Sequence, residues 1–304
     1  MSKFWEYFND IKSPFQLEIG QGNTPLTFQN ISGVTVAIKN EYANPNQSFK
    51  DRGLAYQISK HYQEEKTKFA LSSSGNAAIS SAYIAKKYSL DLELFLAKSI
   101  DQKKFEKIMS ISNSSNSINV NTSNRPRSDL MKFVNSNSSV TNLRGSTDPY
   151  AISGYKTIAY EIVEQFPEVD AIFIPCSSGT STLGIAEGFS ELKKSVAIHI
   201  CQTTKTNPIA KTFDRNYITT ENSFADAITD KVAHRKKSIC AIIEQTGGSG
   251  WVISDQDLMH AKEVSEAWNF ELLTFNSLLS LAGLLKSRER NNIFNYPVLL
   301  FSGL

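Results

Sequence analysis

From Thr35 onward, short apolar runs and longer helical patterns take turns along the chain. Thr35–Lys39, Lys68–Leu71 and Leu92–Ala97 read as strands; residues 52–66, Ala77–Tyr88 and Gln102–Met109 read as the helices between them. Strands separated by whole helices are joined by crossovers, so they pair in parallel and the helices cover the sheet. A second series starts near Tyr150. It includes helical Lys156–Gln165, the apolar strand Ala171–Ile174, helical residues 182–191, a strand over residues 195–201, helices near Asp255–Trp268 and Ser277–Ser287, and a closing strand Val298–Phe301. Gly247, Gly248 and Gly250 mark a turn within it. The expected class is α/β with two lobes, each a mainly parallel sheet flanked by helices. Residues 45–145 form a small mobile domain in this reading, and residues 1–44 with 146–304 form the large one. Asn113 to Asn124 and Asn135 to Asn142 are rich in Ser and Asn. They read as polar loops around a strand (Ile118–Val120) and a helix (Leu130–Val134) of the small domain.

Composition narrows the partners. Lys+Arg number 32 and Asp+Glu 30, a net charge of +2, which gives no electrostatic case for nucleic acid or an acidic membrane. No apolar run is long enough to span a bilayer, and the opening MSKFWEYFNDIK is amphipathic and charged, unlike a signal peptide. Cys176, Cys201 and Cys240 are unevenly spaced with no CxxC, as expected of reduced thiols in a cytoplasmic protein. His61, His199, His234 and His260 show no metal spacing, so no metal is expected. The basic run His234 to Lys237 reads as a solvated turn or helix end.

Three segments carry chemistry. The first is Asn44 to Gly53, NPNQSFKDRG, with Lys50 between Phe49 and Asp51 at the start of a helical pattern. A lysine held inward at a helix start can shed its proton and condense with an aldehyde; the same lysine would also suit a capped surface helix. The second is Leu71 to Ala85, where Ser72, Ser73, Ser74 and Gly75 precede Asn76. Their N–H groups and hydroxyls gather at a helix start, a receptor for a carboxylate or phosphate, although an ordinary serine cap would look similar. The third follows the strand Ala171–Ile174: Ser177, Ser178, Gly179, Thr180 and Ser181 lead into a helix packed through Gly184 and Gly188. Strand, small-residue loop, helix is a way to hold phosphate at a positive helix end. The loop lacks the P-loop lysine and the dinucleotide glycine spacing, so neither ATP nor NAD is implied.

Taken together, these segments resemble the fold-type II pyridoxal-phosphate enzymes, the tryptophan synthase β-like group, and within them threonine synthase. Further stretches share the resemblance: GQGNTPL at Gly20 to Leu26, DPYAISGYKTIAYEI at Asp148 to Ile162, VISD at Val252 to Asp255, NSLLSLAG at Asn276 to Gly283 and VLLFSG at Val298 to Gly303. The resemblance implies a role for each matching residue. Lys50 would form the Schiff base with the cofactor and move protons at the substrate α-carbon. Phe49 would line the ring, and Asn76 would hydrogen-bond its phenolic oxygen. Ser73, Ser74, Gly75 and Ala77 would hold the carboxylate of a small amino-acid substrate. Ser177, Ser178, Gly179, Thr180 and Ser181 would cradle the cofactor phosphate, and Ser302 would face the pyridine nitrogen. A hydroxyl there does not force a proton onto the ring, which suits elimination and replacement chemistry. The resemblance also implies a cofactor held between the lobes and a possible homodimer.

The chain departs from threonine synthases at telling places. Their Asn–Thr pair is Asn76–Ala77 here. Their arginine ahead of the Gly-x-Lys-Thr start is matched by Ala151 or, one residue earlier, Tyr150. Their late glutamate is replaced by Thr274 or Phe275, and their Gly-Asn-Ala-Gly-Asn cradle by SSGTS. Donors are thus missing where a phosphate dianion would need them. The expectation is a carbon–oxygen lyase doing elimination or replacement on another, unphosphorylated, amino acid. Alternatives are an authentic threonine synthase acting on O-phosphohomoserine, a serine/threonine dehydratase, a cysteate-synthase-like enzyme, or a homologue that holds the cofactor without catalysis.

Overall fold

The structure is a computed structural model that describes residues 3–73, 75–268, 270 and 273–304. It forms two compact units: Met1–Asn23 with Asn44–Gly154, and Thr24–Ala43 with Tyr155–Leu304.

The first unit is built on α1 (Lys3–Glu6), α2 (Lys50–Gln63), β3 (Lys68–Ser72), α3 (Asn76–Tyr88), β4 (Asp91–Ala97), α4 (Gln102–Ser112), β5 (Ile118–Ser123), α5 (Pro126–Ser136) and β6 (Thr141–Asn142). Its strands lie in the order β5-β4-β3-β6, every pair parallel. Leu71, Leu92, Leu94 and Leu96 from the strands meet Leu54 and Ile58 of α2 and Ala78, Ile79 and Ala82 of α3 in one buried cluster. Alanine at those α3 positions lets the helix lie close to the sheet. Within the polar stretch Asn113 to Asn124, Ile118–Ser123 forms a strand whose Asn119 and Asn121 donate to the Glu93 carboxylate on β4 at 2.6 and 3.0 Å. Asp101 caps α4 by accepting from the Lys104 N–H at 3.0 Å, and Pro126 opens α5.

The N-terminal arm belongs to this unit. The expectation assigned residues 1–44 to the larger lobe; Thr24–Ala43 do lie in the second unit, but residues 1–23 lie here, with Phe4, Trp5, Ile11, Leu17 and Ile19 buried in the α2–α3 core. The Tyr56 hydroxyl on α2 donates to Asp10 at 2.6 Å and Lys60 pairs with the same carboxylate at 2.8 Å. Large aromatic groups drive the arm onto the nearest apolar helix face.

The second unit comprises β1 (Leu26–Ile31), β2 (Val34–Asn40), α6 (Lys156–Gln165), β7 (Ala171–Pro175), α7 (Thr180–Glu191), β8 (Ala197–Thr203), α8 (Lys236–Thr246), β9 (Gly250–Ile253), α9 (Asp255–Glu266), α10 (Phe275–Glu289) and β10 (Pro297–Phe301). The sheet runs β1-β2-β10-β7-β8-β9; β1 is antiparallel and the rest are parallel. All residues of β7, β9 and β10 are buried, which explains their unbroken apolar runs. Sequence reading did not predict β1 or α8. The basic run from His234 turns out to open α8. Helices α6 and α7 touch at Gly188, where an added Cβ would sit 2.7 Å from the Lys156 carbonyl oxygen.

A buried polar network locks β2 to α6. Lys39 Nζ donates to Glu161 at 2.7 Å, to the Thr24 carbonyl at 2.7 Å and to Gln165 at 3.1 Å. The Glu161 carboxylate also accepts from the Thr24 N–H at 3.2 Å. The TPL turn near the N-terminus is therefore fixed by a desolvated, hydrogen-bonded ion pair.

A second polar group lies in the opposite layer. His199 on β8 stacks on Phe173 with ring centroids 4.5 Å apart, and its Nδ1 accepts from Trp251 Nε1 at 3.2 Å. That bond places the ring proton on Nε2. Burial holds the imidazole pKa down to about 3. An unfolded histidine titrates near ~6.5. The depressed value means stability is complete above that pH and is lost as pH falls toward the folded value. The loss should approach about 1.4 kcal/mol per pH unit. His199→Gln should remove this contribution, and urea titrations between about pH 4.5 and 6.5 should show a slope shallower by up to one proton. An unchanged slope would mean that His199 binds protons alike in the folded and unfolded states.

Candidate active site

The sequence-predicted residues divide between the units. In the first, a tight turn leads to the lysine. Asn44 Oδ1 accepts from the Gly22 N–H at 2.9 Å, and the Gln47 N–H closes onto the Asn44 carbonyl at 2.8 Å. Ser48 Oγ then accepts from the Lys50 N–H at 3.2 Å. Lys50 is the first residue of α2 and is half-buried, with Nζ 4.5 Å from the Phe49 ring centroid. Phe49 itself is buried.

What sequence reading missed is the role of Asp51. Its carboxylate is fully buried and accepts from the Asn46 N–H at 2.7 Å, Asn46 Nδ2 at 3.0 Å and Ser80 Oγ at 2.6 Å. Burial pushes this carboxyl up, while the Ser80 and Asn46 hydrogen bonds pull against it. Asp51 thus fastens the lysine loop to α3. Gly154 serves the same end: a Cβ there would lie 2.2 Å from the Arg52 carbonyl oxygen, so only glycine fits against the first turn of α2.

The SSSGN segment joins β3 to α3. Gly75 is extended and its N–H faces Ser73 Oγ at 3.4 Å; Asn76 and Ala77 form the first turn of the helix. Ser74 lies outside the described residues. Ser80 follows Asn76 by one turn, so the α3 face that binds Asp51 also carries Asn76. Lys50, Phe49 and Asn76 therefore stand at two helix starts tied together by one carboxylate.

The position matched to the family's phosphate-gripping arginine carries no cation. Ala151 is buried in a short 3-10 turn whose cap, Asp148, accepts from the Tyr150 N–H at 2.9 Å. Asp148 Oδ2 lies 2.6 Å from Gln57 Nε2 and 2.7 Å from His61 Nε2. Burial opposes ionisation of Asp148, but those partners hold its carboxyl below the usual range. The Tyr150 hydroxyl is spent on Glu64 at 2.5 Å.

In the second unit, β7 and β10 are parallel neighbours with Leu299 opposite Phe173. Continuing that register sets Ser302 beside Cys176, so Ser302 and the loop from Ser177 emerge at one sheet edge, as crossover topology requires. Ser302 is buried. The turn after it is pinned by Thr274 Oγ1 and Ser277 Oγ, which donate to the Gly303 carbonyl at 3.0 and 2.7 Å. Thr274 also caps α10. Hydroxyls thus shape this turn.

The hydroxyl-rich loop enters α7 through Gly179, whose φ is +83° and whose added Cβ would lie 1.9 Å from Ile239 Cδ1. Ser178 Oγ and Thr180 Oγ1 are 3.0 Å apart at the helix mouth, with Ser181 in the first turn. Thr182 Oγ1 is buried with no hydrogen-bond partner among the described residues. Neutral donors around the free N–H groups of a helix start fit a phosphate, and Lys50 fits an aldehyde. These residues suit pyridoxal phosphate.

The pyridoxal-phosphate dependent enzyme family matches residues 17–301. The chain belongs to that family. Among relatives, a threonine synthase from Bacillus sp. (strain ULM1) is 27% identical over 293 residues, covering 93% of this chain and 81% of the relative. A serine racemase from Arabidopsis thaliana is 27% identical over 176 residues, covering 58% of this chain and 53% of that one. Among solved structures, maize serine racemase superposes with a TM-score of 0.78 at 20% identity, covering 93% of this chain and 88% of its own. The processed form of threonine deaminase isoform 2 from Solanum lycopersicum gives 0.76 at 20%, covering 92% and 83%. The chain is a pyridoxal-phosphate dependent enzyme of fold type II, and no described helix is long and apolar enough to cross a membrane.

Asp51→Ala should orphan three donors at once and destabilise the protein by on the order of 3–5 kcal/mol in urea unfolding: hydrogen bonds to charged groups are worth roughly 1.5–3 each, offset in part by relief of the buried carboxylate's desolvation. Asp51→Asn, keeping one acceptor and the shape, should cost clearly less. Equal losses for the two would show that packing, not these bonds, fixes the turn.

Proposed function

We propose that this enzyme eliminates or replaces a substituent of a small, unphosphorylated amino acid. The observation that carries the reading is the commitment of the Ala151 region. With Ala151 buried, Tyr150 bound to Glu64 and Ala77 without a hydroxyl, these three positions offer no donor set for a substrate phosphate.

When bound, pyridoxal phosphate supplies an aldehyde that links to amines and a ring that withdraws electron density from the α-carbon. The chain's residues do the rest. Lys50 takes and returns the proton at the substrate α-carbon. Phe49 walls the ring and excludes water. Asn76 donates to the ring's phenolic oxygen. Backbone N–H groups and hydroxyls of Ser73, Ser74, Gly75 and Ala77 orient the substrate carboxylate. The backbone N–H groups of the loop from Ser177 to Ser181, with the Ser178, Thr180 and Ser181 hydroxyls, would hold the cofactor phosphate at the start of α7. Ser302 would offer the ring nitrogen a neutral partner, a setting that suits elimination and replacement rather than transamination.

A serine or threonine dehydratase is the second reading. It is favoured by the neutral SSGTS loop, which differs from the threonine synthase cradle, and by the likeness to serine racemase and threonine deaminase.

Steady-state assays decide among these. Phosphate release from O-phosphohomoserine should run at least about a hundredfold below turnover of the best unphosphorylated amino acid, as expected when a site lacks the charge a ligand needs. Rapid phosphate release with threonine formation would instead make this an authentic threonine synthase. Ammonia and a keto acid from serine or threonine would mark a dehydratase, and a visible band unresponsive to every amino acid would mark a cofactor holder. Lys50→Ala should lose the visible absorbance band while its urea midpoint shifts by less than about 0.5 kcal/mol equivalent. A retained band would remove Lys50 from the cofactor.

A further inference from the structure

Ser177 was grouped with the phosphate-loop hydroxyls, but its side chain points to other work. Its Oγ accepts from the Thr229 N–H at 3.1 Å and from the Asp230 N–H at 3.3 Å, and donates to Asp230 Oδ2 at 3.4 Å. A hydroxyl has one donor and two acceptor positions. All three are taken, and all by one segment.

That segment, residues 214–235, has no helix or strand and joins the short 3-10 turn Ala210–Thr212 to α8. Its root is firm. Asp214 is buried, accepts from the Val252 N–H at 3.0 Å, and pairs with Lys286 at 3.1 Å and Arg290 at 2.9 Å. Beyond the root it runs along the carboxyl ends of the parallel strands on side-chain hydrogen bonds. Thr220 Oγ1 meets Thr204 Oγ1 past β8 at 2.8 Å. Ser223 Oγ and the Phe224 N–H both donate to Asp255 past β9 at 3.0 Å. The Ala227 N–H donates to Asn276 Oδ1 at 2.9 Å, and Asn276 Nδ2 donates to Asp226 at 2.8 Å. Only small pegs are buried, Ala225 and Ile228, while Ile218 is 85% and Val232 66% exposed. Ser177 is the point where this thinly held segment meets the phosphate-type loop.

We infer that Ser177 is a positioning residue: its hydroxyl latches residues 217–230 as a strap over the loop edge, and the strap, not a Ser177–phosphate bond, slows escape of the phosphate group. The inference rests on the proposed phosphate role of the loop. It leaves the phosphate to the backbone N–H groups and to Ser178, Thr180 and Ser181.

Two readouts on the full-length holoenzyme test it: amide hydrogen exchange at Thr229 and Asp230, and the rate of cofactor loss on dilution, followed by visible absorbance. Ser177→Ala should speed both, the release by on the order of fivefold, the worth of a neutral hydrogen bond. Ser177→Thr keeps the hydroxyl and should restore both. Thr220→Ala, which loosens the strap away from the loop, should speed release in the same direction. Faster release in Ser177→Ala without faster exchange at Thr229 and Asp230 would overturn the latch in favour of direct phosphate contact. Faster exchange with unchanged release would overturn the strap's role. A wild-type protein with no visible band at all would overturn the cofactor reading itself, and the latch with it.

Discussion

Parallel strands cannot be joined by hairpins, and that rule decides where chemistry can sit in this protein. Each strand must be followed by a crossover, and each crossover helix begins just past the strand's carboxyl end. The positive ends of the helices are thereby gathered on one edge of each sheet. In the first unit β3 runs into Ser73 and Gly75 and then α3. In the second, β7 runs into Ser177 to Gly179 and then α7, while the neighbouring β10 delivers Ser302 to the same edge. An anionic cofactor with an anionic substrate is what such edges are suited to hold.

Topology alone would leave these loops soft. Their shape comes from buried polar groups with every partner in place. Asp51 gathers the lysine turn and α3, Thr274 and Ser277 gather the turn after Ser302, and the Lys39–Glu161 pair gathers β2, α6 and the Thr24 turn. Each is costly to bury alone and specific once paired. The same logic holds beside Ala151, where Asp148 gathers Gln57 and His61 and the Tyr150 hydroxyl donates to Glu64.

Sequence reading recovered what is local. Lys156–Gln165 as a helix and Ala171–Ile174 as a strand follow from periodicity and apolar runs, and the structure gives the same elements. The glycine and serine stretches marked helix starts because their chemistry is confined to a few residues. It failed where partners are far apart. Asp51 was given no role, since its partner Ser80 lies 29 residues away. Lys39 and Glu161 are 122 apart, and nothing in either neighbourhood announces the other. Strand β1 was missed because its half-exposed pattern, set by an edge position, shows neither alternation nor a continuous apolar run. The N-terminal segment read only as amphipathic and charged, because the apolar face that buries its aromatics is assembled from α2 and α3, far along the chain. Ser177 was grouped with its neighbours by composition, and only the strap shows that its hydroxyl is engaged elsewhere.

The order of strands has a consequence for how the protein is made. β10 lies between β2 and β7, in the middle of the six-stranded sheet. β2 and β7 leave the ribosome long before it, and neither can pair with the other while the slot between them is vacant. The nascent chain must therefore carry two apolar, hydrogen-bond-hungry strand flanks until residue 301 has been translated. A messenger cut short upstream of Pro297 would yield a polypeptide with an open gap at its centre, prone to capture by chaperones or to self-association through those flanks.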